Sequence, residues 1–105
     1  MVTGNLTKET IVETIRKSGP RLLSFGITSI GLFGSFARNQ ARPESDVDLL
    51  VEFAPDKKTF DNFIDACFLL EDLFGRKVEL VTRESLSSHL SPSILREVEY
   101  VPFSN

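Results

Sequence analysis

The sequence predicts an α/β (α+β) fold, one β-sheet with helices packed on it, and two observations carry that expectation. Three short apolar runs, at 27–33, 46–53 and 77–82, are bounded by glycine, proline or polar residues, as strands are. Around them, apolar residues recur at three- and four-residue spacing, as on helices packed by one face. A length of 105 residues with 41% hydrophobic content suits one domain over 1–105 with a real core.

A first helix is expected to start at Thr7, whose hydroxyl can cap it, with Glu9 in the first turn favoured by the helix dipole. Ile11, Val12 and Ile15 give its apolar face, and Ser18-Gly19-Pro20 interrupts it before a short helical turn over 21–25 ending at Gly26. Ile27 to Phe33 reads as a buried strand running into Gly34-Ser35, followed by a short helix over 36–39 and a polar loop over 40–45. The strand Asp46 to Phe53 places Val47, Leu49 and Val51 on one face and Asp46, Asp48 and Leu50 on the other. After a loop over 54–58, Thr59 can cap a longer helix with a face of Phe60, Phe63, Ile64, Cys67, Phe68, Leu70 and Phe74, and Gly75 just past its end. A third strand follows over 77–82, then a weakly helical connection over 84–90. Ser91-Pro92 is a good helix start, and Ile94, Leu95 and Val98 form that helix's apolar face.

Composition removes several function classes. The net charge of -3 and pI of about 5.1 argue against nucleic acid as the main partner, since gripping phosphates normally takes a basic face. One cysteine, Cys67, allows no internal disulfide and no multi-cysteine zinc site. No apolar run approaches the roughly 20 residues that span a membrane, and residues 1–10 lack the apolar stretch of a secretory signal. A cytoplasmic location is therefore expected.

Three features carry chemistry. Gly34-Ser35 ends a buried strand, where glycine permits close backbone approach, and N–H groups with a serine hydroxyl can hold phosphate oxygens. Asp46 and Asp48 stand at i and i+2 on one side of a strand, about 6.6 Å apart along it. Two such carboxylates can converge on two magnesium ions about 3.5–4 Å apart, the arrangement that clamps an in-line phosphoryl displacement. Glu79 interrupts the apolar strand 78–81 and either faces solvent or joins the aspartates, where it can bind metal or accept a proton. Among the other conspicuous residues, Cys67 and the phenylalanines from Phe60 to Phe74 read as core. Arg42 reads as a solvated loop residue, with contact to phosphate or an acidic partner as the alternative, and Tyr100 as a packing or partner-surface residue; His89, the only histidine, lies in a connection and reads as structural before functional.

Gly34-Ser35-Phe36-Ala37-Arg38, a polar loop, and Ser45-Asp46-Val47-Asp48-Leu49 together resemble the signature of the polymerase-beta-like nucleotidyltransferase superfamily. The short chain, its N-terminal helix and the ending from Ser91 to Val101 are similar to the minimal nucleotidyltransferase (MNT) group, often the antitoxin partner of a small helical HEPN toxin. The resemblance implies the nucleotidyltransferase fold, with one mixed β-sheet. It implies that Gly34 and Ser35 bind the triphosphate of ATP, that Asp46 and Asp48 hold two Mg2+ ions, and that Arg38 helps to place phosphates. Glu79 stands where the superfamily commonly carries aspartate, its third catalytic and metal-binding carboxylate. The implied reaction is transfer of AMP to a protein hydroxyl, a tyrosine of a cognate HEPN toxin, with homo- or hetero-oligomers open. Two alternatives stay beside it: a non-catalytic antitoxin acting by occlusion, and transfer to a small molecule held with a partner subunit.

Overall fold

The structure, a computed structural model, describes residues 6–86 and 91–103. Thr7 caps α1 (Lys8–Lys17) as expected: its hydroxyl accepts from the Thr10 N–H at 3.1 Å, and the Thr10 hydroxyl accepts from the Thr7 N–H at 2.9 Å. Proline in the first turn then opens α2 (Gly19–Ser24). Strand β1 (Ile27–Phe33) runs into α3 (Gly34–Ala37), and β2 (Val47–Phe53) follows the polar loop. The long helix α4 (Phe60–Phe74) is capped by the Thr59 hydroxyl and closed by Gly75 at φ 68°. Strand β3 (Val78–Thr82), α5 (Ser91–Glu97) and β4 (Glu99–Tyr100) complete the chain.

The sheet order is β3-β2-β1-β4. Strand β1 pairs antiparallel with both β2 and β4, whereas β2 and β3 are parallel, so the sheet is mixed. The parallel pair is possible because α4 is the crossover between its strands. Side-chain alternation divides the sheet. Ile30 and Leu32, Val47, Leu49 and Val51, and Val78 and Leu80 join one core with Ile11 and Ile15 of α1, Leu22 of α2, and Leu70 and Phe74 of α4. Asp48 and Glu79 occupy the strand positions between these core residues and therefore face the other side.

Four expectations need correction. Helix α3 begins at Gly34, two residues earlier than the sequence reading placed it, because the Gly34 carbonyl already accepts from the Arg38 N–H at 3.2 Å. Phe60 and Phe68 are not core: they are 77% and 64% exposed. The sheet-facing side of α4 is Ala66, Leu69, Leu70 and Phe74. Phe68 lies two residues from Ala66, about 200° around the helix, and cannot share its face. Leu95 is likewise exposed at 37%, and the α5 segment turns after Glu97 into β4, a strand the sequence reading missed. Val98 thus leaves the helix, and it packs with Tyr100 over Gly31, where a Cβ would collide with Val98 and crowd the Tyr100 ring. His89 and much of the connection before α5 lie outside the described residues.

The exposure difference on α4 has a measurable consequence. Phe68→Ser is expected to change the unfolding free energy by less than about 0.5 kcal/mol, whereas Leu70→Ala, at a fully buried position, should cost about 2–5 kcal/mol. Urea denaturation of the two variants beside the parent chain measures both; a large loss in Phe68→Ser would contradict the assignment of faces.

Candidate active site

The site forms where the end of β1 and the starts of β2 and β3 meet on the sheet face opposite the helical core. Phe33 pairs with Asp48 across the antiparallel ladder, and Asp48 pairs with Glu79 across the parallel one. Register partners point to the same side of a sheet, so Asp48 and Glu79 are neighbours there. The chain after Phe33 turns at Gly34 with φ 79°, a left-handed conformation that favours glycine. A Cβ at this position would overlap the Asp48 carboxylate, so the carboxylate rests directly on the bare Cα of the turn. This close approach joins the two halves of the motif: the backbone turn of Gly34-Ser35 and the aspartates of β2.

Asp46 immediately precedes β2, and its charge acts on Asp48. Burial, then the charges of Glu79 and Asp46, push the Asp48 carboxyl up to about 6 from its ordinary 3.8; Arg38 opposes the shift and Glu97 adds to it. Asp48 is half-buried, Asp46 partly exposed and Glu79 exposed. Among the described residues, no three His, Cys, Asp or Glu side chains converge as a ready-made metal site. The donors nevertheless fit magnesium. They are oxygen only, they carry excess negative charge, and magnesium is typically held by one or two carboxylates plus substrate phosphates rather than by an all-protein cage.

Arg38 follows α3 and is tied from two sides. Its Nη1 donates to both Glu97 oxygens, at 2.9 and 3.2 Å, and its Nε donates to the Gln40 side chain at 3.1 Å. The Gly34 N–H also donates to Glu97, at 3.4 Å. The sequence reading passed over Glu97, because Arg96-Glu97-Val98-Glu99 looks like any charged helix end. It also passed over Arg76, whose guanidinium lies 5.3 Å from the Phe36 ring centroid and donates to the Ser45 carbonyl at 2.8 Å. Arg76 thereby fastens α3 to the loop that delivers Asp46. No local sequence pattern marks either contact, since each joins residues at least 31 positions apart. Arg42 is exposed, its N–H donating to the Ser45 hydroxyl at 2.8 Å, a local turn rather than a site contact. Cys67 is a half-buried thiol against the core.

Residues 11–101 match the nucleotidyltransferase domain family. The chain is 44% identical over 77 residues to the protein adenylyltransferase MntA of Thermococcus cleftensis, covering 73% of this chain and 77% of that one. A solved chain provisionally described as a minimal nucleotidyltransferase superposes with a TM-score of 0.70 at 31% identity, over 96% of this chain and all of that one. The fold is shared with a Shewanella oneidensis structure, a tri-AMPylated HEPN toxin in complex with an MNT antitoxin, with a TM-score of 0.65 at 19% identity over 93% of this chain and 74% of that one. The family match spans most of the chain, and identity to MntA holds over most of both proteins: this chain belongs to the nucleotidyltransferase domain family, among its minimal, MntA-like members.

Proposed function

We propose that this chain transfers AMP from ATP, with two magnesium ions, to a hydroxyl of another protein, a tyrosine of a HEPN-type toxin, and so acts as an antitoxin. The observation that carries the reading is the seat of the Asp48 carboxylate on the Cα of Gly34, beside Asp46. It brings a backbone turn suited to phosphate oxygens within contact of carboxylates suited to divalent cations. The names of the relatives support a protein acceptor. So does the openness of the sheet face: Glu79 is exposed there, and a partner's side chain can enter from solvent.

In this reading Gly34 N–H and the Ser35 hydroxyl hold the triphosphate, and Arg38 steadies it electrostatically. Asp46 and Asp48 would hold the cations, and magnesium bound there would supply charge neutralisation for the displacement. The acceptor oxygen forms a bond to the α-phosphorus as the bond to the β-phosphate bridge oxygen breaks, and pyrophosphate leaves. Glu79, level with Asp48 and open to solvent, completes the acidic set and takes the acceptor proton. Most of the acceleration comes from positioning and charge stabilisation, since no covalent intermediate forms on the protein. Among the described residues no helix is long and apolar enough to cross a membrane. The free thiol at 67 suits a reducing cytoplasm, where we place the reaction.

Co-expression with a HEPN-type toxin, followed by intact-mass spectrometry of that protein, tests the proposal. The expected result is a mass increase of one or more whole adenylyl groups with the parent chain and none with Asp46→Ala/Asp48→Ala. An unmodified partner that is nonetheless neutralised by the double variant would replace catalysis with occlusion.

A further inference from the structure

Two donors that the proposed function assigns to the triphosphate are already engaged by one side chain. Gly34 N–H and Arg38 Nη1 both donate to Glu97, the last residue of α5. The Glu97 carboxylate is 26% exposed, so this is not a loose surface pair. It also adds negative charge to a corner that holds Asp46, Asp48 and Glu79, with Arg38 the cation acting on Asp48. An anion has no reason to be stable in such company except through the donors it contacts, and they are the donors an incoming phosphate needs.

We infer that Glu97 is an internal stand-in for phosphate: in the nucleotide-free chain its carboxylate occupies Gly34 N–H and Arg38, and nucleotide binds only by displacing it. The inference rests on the nucleotidyltransferase reading of Gly34 and Arg38. A triphosphate oxygen and the Glu97 carboxylate cannot both sit at Gly34 N–H, since one N–H directs one strong hydrogen bond and two anions in contact repel. Displacement is feasible. The Gly34 contact is long, the Arg38 side chain is half exposed, and magnesium-bound triphosphate brings more acceptor oxygens than one carboxylate. Glu97 also stands one residue before Val98, which with Tyr100 covers Gly31, so the occupying carboxylate is held by the same short segment that adds β4 to the sheet. The consequence is lowered affinity for nucleotide, with the site closed to smaller anions until ATP with magnesium arrives.

The test is calorimetric titration of the purified chain with an ATP analogue that cannot be cleaved at its α,β-bridge, in magnesium, comparing the parent with Glu97→Gln and Glu97→Ala. Glu97→Gln keeps the size and shape of the side chain, and a thermal melt confirms that each variant is folded. Both variants are expected to bind the analogue tighter by roughly threefold to fivefold, the size of a half-exposed ion pair. Arg38→Ala should weaken binding, which keeps a donor effect separate from a competitor effect. Unchanged or weaker binding in both Glu97 variants would overturn the inference and make Glu97 a positioning residue for Arg38. A parent chain that binds no analogue at all would instead sink the nucleotidyltransferase reading of Gly34 and Arg38, and the inference with it.

Discussion

Asp48→Asn is expected to lower nucleotidyl transfer by about 10³-fold while raising the melting temperature of the metal-free protein. The two effects have one cause. Asp48 is held against Gly34, partly out of water and among other carboxylates, an arrangement that suits a bound cation. Its folded-state value of about 6 lies above the ordinary 3.8. The folded chain therefore binds the Asp48 proton more tightly than the unfolded chain does. Stability from this group is full below the ordinary value, declines as pH rises towards 6, and above that the ionised carboxylate is a constant penalty. Discounted for its half-exposed position, the penalty at pH 7.5 is about 1 kcal/mol, or roughly 4–8 °C in a domain of this size. Asparagine removes it. Thermal melts without metal should show Asp48→Asn more stable than the parent at neutral pH and equal to it near pH 4. Added magnesium should stabilise the parent and leave the variant unmoved. A variant that melts below the parent at neutral pH would contradict the electrostatic account of the site.

Gly34→Ala is the second large effect. The left-handed backbone at φ 79° resists a Cβ by about 1–2 kcal/mol, and the added carbon must also push the Asp48 carboxylate aside. We expect a stability loss of about 2 kcal/mol or more. A fall in transfer of at least about 10²-fold is also expected, because displacing Asp48 disturbs the geometry proposed for the reaction. Gly75 supplies the control. It has φ 68° but open space around it, so Gly75→Ala pays backbone strain of about 1 kcal/mol with activity retained. Urea denaturation and rate assays on both variants separate strain from site damage; equal loss of activity in the two would remove Gly34 from the site.

The parts of the fold that were legible in the sequence are those set by neighbours along the chain. The Thr7 and Thr59 caps, Gly26 and Gly75 beyond their helices, and the alternating residues of β2 all follow from interactions spanning a few positions. Asp46, Asp48 and Glu79 could be nominated because a carboxylate in an apolar run needs a reason, and the ladder register of β2 with β3 brings Asp48 and Glu79 level. What escaped depends on tertiary placement. Helix α4 carries more apolar residues than one face can bury, so the sheet decides which are inside, and it selects Ala66 and Leu69 over Phe60 and Phe68. Strand β4 is two residues long, too short for periodicity to show, and exists because Gly31 leaves room for Val98 and Tyr100 over β1. Glu97 and Arg76 act on residues far away in sequence, and only the folded chain shows which donors and carbonyls they meet.

Parallel reactions with α-labelled and γ-labelled ATP distinguish attack of an acceptor hydroxyl on the α-phosphate, proposed for the corner formed by Gly34, Asp46 and Asp48, from any other transfer. Purified chain, magnesium and the HEPN-type acceptor are combined, and label on the acceptor is counted. The account predicts label from α-labelled ATP only, with pyrophosphate released and nothing transferred by Asp46→Ala/Asp48→Ala. Transfer of the γ-label, or equal α-label transfer by the double variant, would contradict it.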